Sequence, residues 1–495
     1  MTVDPPAWVA DTVFYQVFPD RLARSGRVPA PGSLEPWDAP PTTTGFKAGD
    51  LYGVADRLDD LADLGINGLY LNPIFRAASN HRYNASDYLA VDPLLGGDDA
   101  LRTLLDRAHD RGMRVILDGV FNHAGRGFFP FQHLLENGIA SPYRDWFYLH
   151  PDVLAGRRGI DAYRPRGEAS FDLTGYAMWW NVPSMPKLRV EHPPAREYLF
   201  GVAEHWLRFG IDGWRLDVPA DVGDPTFWPE FRQRVRAVRP DAYLVGEIWR
   251  ESPEWLLGDR FDALMNYPLG LAILGFASGG ALDHGAIAGQ VDYARFLRAL
   301  DGRAFGNRVR SLVELYDPAV VGAQYNLIGS HDTPRARTVL AGDVAALRLA
   351  TLLLLTLPGA PAIYYGDELA MEGGPDPACR RAYPTAPDAG AIAHRSFVQA
   401  AIRARRDHRA LRRGTVEVAA ASGPAVALAR SADGERALVA VNSGREPVRL
   451  DVDPGLVAGL TALDLPVVAA GRLVDGRVVE LPEQSAVVLV QSAPG

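Results

Sequence analysis

Residues 115–123 read VILDGVFNH, an apolar, β-branched run that opens into Asp118, Asn122 and His123. Such a run, apolar along its length and polar at its far end, suits a parallel strand whose C-terminal end faces a cleft. Seven similar runs occupy 13–18, 68–72, 213–217, 243–247, 263–266, 325–330 and 362–365. Most are separated by stretches with helical periodicity. Residues 98–112 carry it before the third run and 229–239 before the fifth. Strands alternating with helices predict parallel pairing through helical crossovers. Eight βα units in about 400 residues predict an α/β fold, the (β/α)8 TIM barrel.

Two segments break the alternation. Residues 124–182 mix Gly, Pro, aromatic and Arg residues without sustained periodicity, which predicts an inserted subdomain after the third strand. Beyond a last helix ending near Arg413 the chain turns to short alternating runs: TVEVA (415–419), AVALAR (425–430), ALVAVN (437–442), VRLDV (448–452) and AVVLVQ (486–491). These predict a C-terminal antiparallel β-sandwich. The expected division is a barrel formed by 1–123 and 183–411, the insertion 124–182, and the sandwich 412–495.

Composition narrows the function. The 495 residues are 47% hydrophobic and carry 51 basic against 60 acidic side chains, a net charge of −9. The arginines are scattered, which argues against nucleic acid or an anionic membrane as partner. A lone cysteine, Cys379, makes no internal disulfide, and no Cys/His clustering suggests structural zinc. The N-terminal residues MTVDPPAWVADTVFYQVF lack the pattern of a secretory leader, and the most apolar stretch, 346–358, is too short to span a membrane. A soluble, cytoplasmic protein is the expectation.

Several runs end in ionisable residues. GWRLD (213–217) places Arg215 and Asp217 on one strand face, YLVGEIW (243–249) ends near Glu247, and the segment reaching GSHDTPR (329–335) delivers His331 and Asp332. Each acid alone has a plain structural explanation, as a helix cap or an ion-pair partner. Together at one barrel mouth, three carboxylates suit acetal cleavage: one attacks the anomeric carbon, one protonates the departing oxygen, and one stabilises positive charge on the ring. Arg215 would keep Asp217 ionised, while packing beside Trp249 and neighbouring acids would keep Glu247 protonated.

The motifs DGVFNH (118–123), GWRLD (213–217), GEIW (246–249) and GSHDTPR (329–335) resemble, in order and spacing, the four signature segments of the α-amylase family, glycoside hydrolase family 13. The resemblance implies Asp217 as nucleophile, Glu247 as general acid/base and Asp332 as transition-state stabiliser in a retaining mechanism. It implies sugar contacts from Tyr83, His123, Arg215, Trp249, His331 and Arg335, with Asp118 and Asn122 in support. Asn84 stands where the family usually has Asp. SMPKL (184–188) and YYGDELAMEGGPDPACRR (364–381) are similar to the neopullulanase, cyclomaltodextrinase and maltogenic amylase subgroup, which makes Asp376 and Arg380 grips for the sugar on the non-reducing side. Met185 and Lys187 are further cleft candidates. That subgroup carries an additional N-terminal sandwich where this chain starts at the barrel, so dimerisation is not implied.

Small α-glucan oligosaccharides are therefore the expected partners, and no cofactor is required. The loop 25–41, which in the family binds calcium, has few hard oxygen ligands, so the residues do not support a metal. Arg250 replaces a histidine usual in the subgroup, and VPAD (218–221) stands in place of VANE. Two other activities fit the same motifs: a glucosyltransferase or isomerase resembling trehalose synthase, and a non-catalytic sugar-binding protein. The intact acids count against the second. Whether α-1,4 or α-1,6 bonds are preferred is left open.

Overall fold

Alternate residues of a barrel strand point inward, and here they change character along each strand from apolar to polar. In the computed structural model, which describes residues 3–467 and 469–491, the barrel strands are Phe14–Val17, Gly68–Leu71, Arg114–Gly119, Gly213–Leu216, Tyr243–Gly246, Ala263–Leu264, Tyr325–Asn326 and Ala360–Tyr364. They pair in parallel in chain order around a sheet that runs from the sixth through the first to the eighth and seventh. A parallel bridge between Met265 and Tyr325 closes the ring. All eight lie within or overlap the segments read from sequence. Phe14, Tyr70, Ile116, Tyr243, Val245 and Tyr325 fill the lower barrel in one buried cluster. Two residues further along the same strands, Gln16, Asn72, Asp118 and Glu247 form a buried polar layer at the mouth. Trp8 plugs the other end, with its ring 5.8 Å from that of Tyr243.

The crossover helices include Gly97–His109 and Phe227–Val238, close to the predicted positions. No α-helix joins the fifth and sixth strands; one short turn, Pro253–Trp255, serves instead. The most apolar stretch of sequence becomes the helix Val344–Thr356, buried from Ala346 onward except at Arg348. Among the described residues no helix is long and apolar enough to cross a membrane.

Three features depart from the sequence reading. The seventh strand pairs only at Tyr325 and Asn326, although the apolar run extends to 330. Asn326 Nδ2 turns to the carbonyl of Pro358 at 2.6 Å, and the backbone at Gly359 comes so close that a Cβ there would lie 2.4 Å from Asn326 Nδ2. A hairpin of Phe75–Ala77 and Ala85–Val91 follows the second strand, with Tyr83 in its connecting loop. The segment read as irregular contains a helix, Phe129–Asn137, whose Pro130, Phe131 and Leu134 face inward. Short bridges tie this insertion to the segment that follows it, Phe147 to Leu188 and Met178 to Pro186.

From Thr415 the chain builds a five-stranded antiparallel sheet and a three-stranded one that enclose their own apolar cluster, including Leu438, Leu450, Val479 and Leu489. Asp433 and Gly434, both at positive φ, form the tight turn of one hairpin, as the Asp-Gly pair favours.

Arg405 fastens the helix Ala389–Asp407 to the end of the barrel. Fully buried, it donates from Nη1 to the carbonyls of Leu355 (3.0 Å), Leu357 (3.1 Å) and Leu411 (3.1 Å), and from Nη2 to Gly359 (2.5 Å). No carboxylate pairs with it among the described residues. Truncation would orphan several buried acceptors at once. Arg405→Ala is expected to cost on the order of 3–5 kcal/mol of stability, read as a lower midpoint of urea denaturation. An unchanged midpoint would show that water replaces the guanidinium.

Candidate active site

Arg215 organises the barrel mouth. Only 1% exposed, it extends Nη1 to Asp118 Oδ1 at 2.8 Å and to Asp217 Oδ1 at 3.0 Å, and Nη2 to Glu247 Oε2 at 2.9 Å. One guanidinium thus holds acids from the third, fourth and fifth strands. A permanent planar cation does this where lysine, a point charge, would not. The other oxygen of Asp217, Oδ2, is buried and has no hydrogen-bond partner, so it is free to react.

Glu247 is held differently. Oε2 accepts from the backbone N–H of Val218 at 3.1 Å, and Oε1 receives the indole N–H of Trp249 at 3.3 Å. Val218 is β-branched yet has φ of +36°, a conformation costing roughly 1–3 kcal/mol that aims its N–H at the acid. Trp249 lies flat on Tyr267 with 3.6 Å between ring centroids. Burial, aided by Asp332 and Asp118 and opposed by Arg215, pushes the Glu247 carboxyl up to about 7. Burial also raises Asp217, against the pull of Arg215, with Glu247 and Asp118 adding to the rise. The two acids share one proton, and acetal cleavage needs it on Glu247 with Asp217 the anion.

Asp332 faces them from beyond the seventh strand. Burial opposes its charge, but His331, Arg380 and Arg215 outweigh it and hold the carboxyl below the usual range. Arg380 Nη2 reaches Asp332 Oδ1 at 3.1 Å, and Arg380 Nη1 reaches Asp376 Oδ1 at 3.0 Å. His331 is kept neutral by burial, its pKa lowered to about 3. Gln16 Nε2 donates to His331 Nδ1 at 2.9 Å, which assigns the ring proton to Nε2, facing Tyr83 Oη and Asp332 Oδ2. The Tyr83 ring stacks on His331 at an interplanar angle of 3°, and its hydroxyl donates to Asp118 Oδ2 at 2.7 Å. His123 is buried and neutral, and its Nε2 lacks a partner, as does Asn122 Oδ1. These orphaned polar atoms are suited to hydroxyl groups of a bound sugar.

The structure therefore gathers Asp118, Asn122, His123, Arg215, Asp217, Glu247, Trp249, His331, Asp332, Asp376, Arg380 and Tyr83 around one mouth. Arg335 is a correction. Fully buried, it donates to the carbonyls of Tyr365 (2.8 Å) and Cys379 (3.0 Å) and pairs with Asp367, so it braces the loop beneath the site and touches no cleft. Its position just before the helix Ala336–Val339 turns the side chain under the floor. Lys187 spends its ammonium on the Asp221 carbonyl at 2.6 Å. Sequence reasoning missed Gln16, Asn72 and Tyr70, which orient His331, Tyr83 and Asp118. Their inward register, two residues from apolar barrel positions or beside them, was the available signal.

The loop after the first strand does not fit calcium. Lys47, fully buried, donates from Nζ to the carbonyls of Pro36 (2.5 Å) and Ala39 (2.8 Å), with Glu35 Oε2 at 3.5 Å. Arg24 Nε caps the Lys47 carbonyl at 2.6 Å, and Asp50 is spent on Ser25 and Gly53. The oxygens that would serve a hard cation already serve Lys47, Arg24 and backbone N–H groups. Among the described residues no group of three or more His, Cys, Asp or Glu is placed to hold a metal.

Comparison with known proteins agrees with this geometry. The model of the alpha amylase catalytic domain matches residues 16–415. A cyclomaltodextrinase of Geobacillus thermopakistaniensis (strain MAS1) is 42% identical over 449 residues, covering 90% of this chain and 71% of that protein. An intracellular maltogenic amylase of Bacillus subtilis is 38% identical over 384 residues, covering 77% and 59%. Among solved structures, a protein from Thermus thermophilus superposes with a TM-score of 0.89 at 45% identity, covering 98% of this chain and 100% of that one. The cyclic α-maltosyl-(1→6)-maltose hydrolase of Arthrobacter globiformis, in complex with that sugar, gives 0.84 at 34% identity, covering 99% and 100%.

Proposed function

Because this chain belongs to the α-amylase family of glycoside hydrolases, we propose that it is a retaining hydrolase of short α-glucans. Its substrates are short linear and cyclic α-glucans, such as malto-oligosaccharides and cyclodextrins. One observation carries this reading: two adjacent nitrogens of Arg215 hold Asp217 and Glu247, with Asp332 opposite. Acids held by a single guanidinium lie close enough to act on one glycosidic bond, as a nucleophile and an acid/base must.

The reaction follows from the proton positions. Glu247 gives its proton to the glycosidic oxygen as Asp217 Oδ2 attacks the anomeric carbon; the bond to the leaving sugar breaks and an ester to Asp217 forms. Glu247, now a carboxylate, takes a proton from water, whose oxygen attacks the same carbon and releases Asp217. Asp332 and the surrounding negative charge stabilise the oxocarbenium-like transition state. His123, His331 and Tyr83 hold the sugar at the cleavage site, and Arg380 with Asp376 grips its non-reducing side. Two relatives support the substrate class, one named a cyclomaltodextrinase and one bound to a cyclic maltosyl sugar. The relative named intracellular supports a cytoplasmic location.

Chromatography of products from maltotriose, maltohexaose, β-cyclodextrin and pullulan tests the proposal. Shorter α-configured sugars should appear, fastest from the malto-oligosaccharides and the cyclodextrin. Release of β-configured sugar would rule out the retaining mechanism, and unchanged substrates throughout would rule out the hydrolase.

A further inference from the structure

Two successive residues of the insertion, Trp180 and Asn181, adopt the left-handed backbone conformation, with φ of +47° and +54°. Neither is glycine, and such conformations cost roughly 1–3 kcal/mol apiece. The outcome of that strain is a tryptophan 67% exposed to solvent. A large apolar ring held in water by a strained backbone is the reverse of what folding alone would favour.

Its surroundings say what the ring is for. Trp180 lies on Trp179 with 5.2 Å between centroids and 20° between planes, and Trp179 lies on His123 with the same spacing and tilt. The three rings form a ladder from the buried His123 beside the catalytic acids out to solvent. Trp179 is pinned from behind, its indole N–H donating to Asp221 Oδ2 at 2.9 Å. Asp221 lies three residues after Val218, whose N–H holds Glu247. The third and fourth strands, which carry this wall, stand across the barrel from the seventh and eighth, which lead to Asp332, Asp376 and Arg380. The ladder therefore flanks the acid that protonates the leaving oxygen, opposite the wall that grips the non-reducing side.

We propose that Trp180 is a stacking platform for a glucose unit in the leaving-group half of the substrate, and so a specificity residue for long and cyclic α-glucans. One face of its indole is covered by Trp179 and the other is open. A pyranose presents a flat patch of C–H groups that packs against an aromatic face, and a helically curved glucan chain brings successive units back toward a side wall. Other exposed apolar residues of the insertion, such as Phe129 and Tyr163, have neither the strained backbone nor the link to the catalytic histidine. The assignment rests on the hydrolase reading above.

The test compares Trp180→Ala, Trp180→Phe and Trp180→Gly with wild type on maltoheptaose, β-cyclodextrin and maltose. The ratio of kcat/KM for maltoheptaose to that for maltose should fall about 10-fold in the Ala and Gly variants, mainly through KM, and recover largely in the Phe variant. Trp180→Gly should also melt at or above the wild-type temperature, because glycine relieves the strain. A structural role predicts the opposite pair of results, a lower melting temperature with an unchanged substrate ratio, and that would overturn the platform. Wild type inactive on all three sugars would instead overturn the hydrolase reading on which the platform rests.

Discussion

Asp217→Asn should reduce kcat/KM on maltohexaose by about 10⁴-fold or more while leaving the fold and much of the sugar affinity in place. The substitution is isosteric, and an amide is a far weaker nucleophile than the carboxylate Oδ2, which no neighbour restrains. The residual rate would come from Glu247, Asp332 and substrate positioning, which survive the change. Stability should hold or improve. Asp217 sits among Asp118, Glu247 and Asp332, and burial already raises its pKa, so the native state resists its charge. Removing one carboxylate from such a cluster relieves repulsion and desolvation at once. Arg215 keeps its contacts with Asp118 and Glu247. Steady-state kinetics, a thermal melt and a maltohexaose titration of the same preparation check the three parts. A variant within 100-fold of wild-type activity would remove Asp217 as nucleophile, and lost sugar binding with a lowered melting temperature would point to misfolding instead.

The barrel was legible because its physics is periodic. Each strand alternates between core and barrel interior, and the interior positions switch from Phe14, Tyr70 and Ile116 to Gln16, Asn72 and Asp118 within one turn of side chains. A sequence displays that switch directly, as at VILDGVFNH. Asp217 and Glu247, the proposed nucleophile and acid, were placed at the mouth for the same reason, since a short motif fixes position where a strand ends. Arg335 was misplaced because proximity in sequence to Asp332 does not fix direction: three residues on, the chain is entering a helix and the side chain has turned to Tyr365 and Cys379. The insertion was less legible. Its turns are held by single backbone bonds such as Trp179 N to the Met185 carbonyl at 3.0 Å, and its left-handed residues are not the glycines that would announce them. Nothing local in GYAMWWNVPS says that one tryptophan is covered and the next exposed. Val218 belongs to the same class, a β-branched residue before proline in a conformation that only the surrounding site enforces.

Glu247→Gln is the second large effect, and its size should depend on the leaving group. With the proton donor gone, hydrolysis of maltotriose should fall about 10³-fold or more, whereas α-glucosyl fluoride, which leaves without protonation, should lose far less in the first chemical step. The wild-type pH profile should carry the same signature. For Glu247 as the proposed acid, with its pKa lifted to about 7 by burial, kcat/KM should decline as pH rises through that value. Stability moves in parallel. A carboxyl whose folded pKa lies above its unfolded value binds its proton more tightly when folded, so its contribution is complete below about 4.5 and is lost as pH rises through about 7. Glutamine has no charge to bury. Glu247→Gln should accordingly melt like wild type near pH 4 and gain up to about 3 kcal/mol over it by pH 8, the free-energy equivalent of the pKa displacement. Melting curves at the two pH values, set beside the kinetic profile, test one assignment by independent routes. A basic limb that persisted in the variant, or a melting difference that did not change with pH, would place the titrating proton on another group of the cluster.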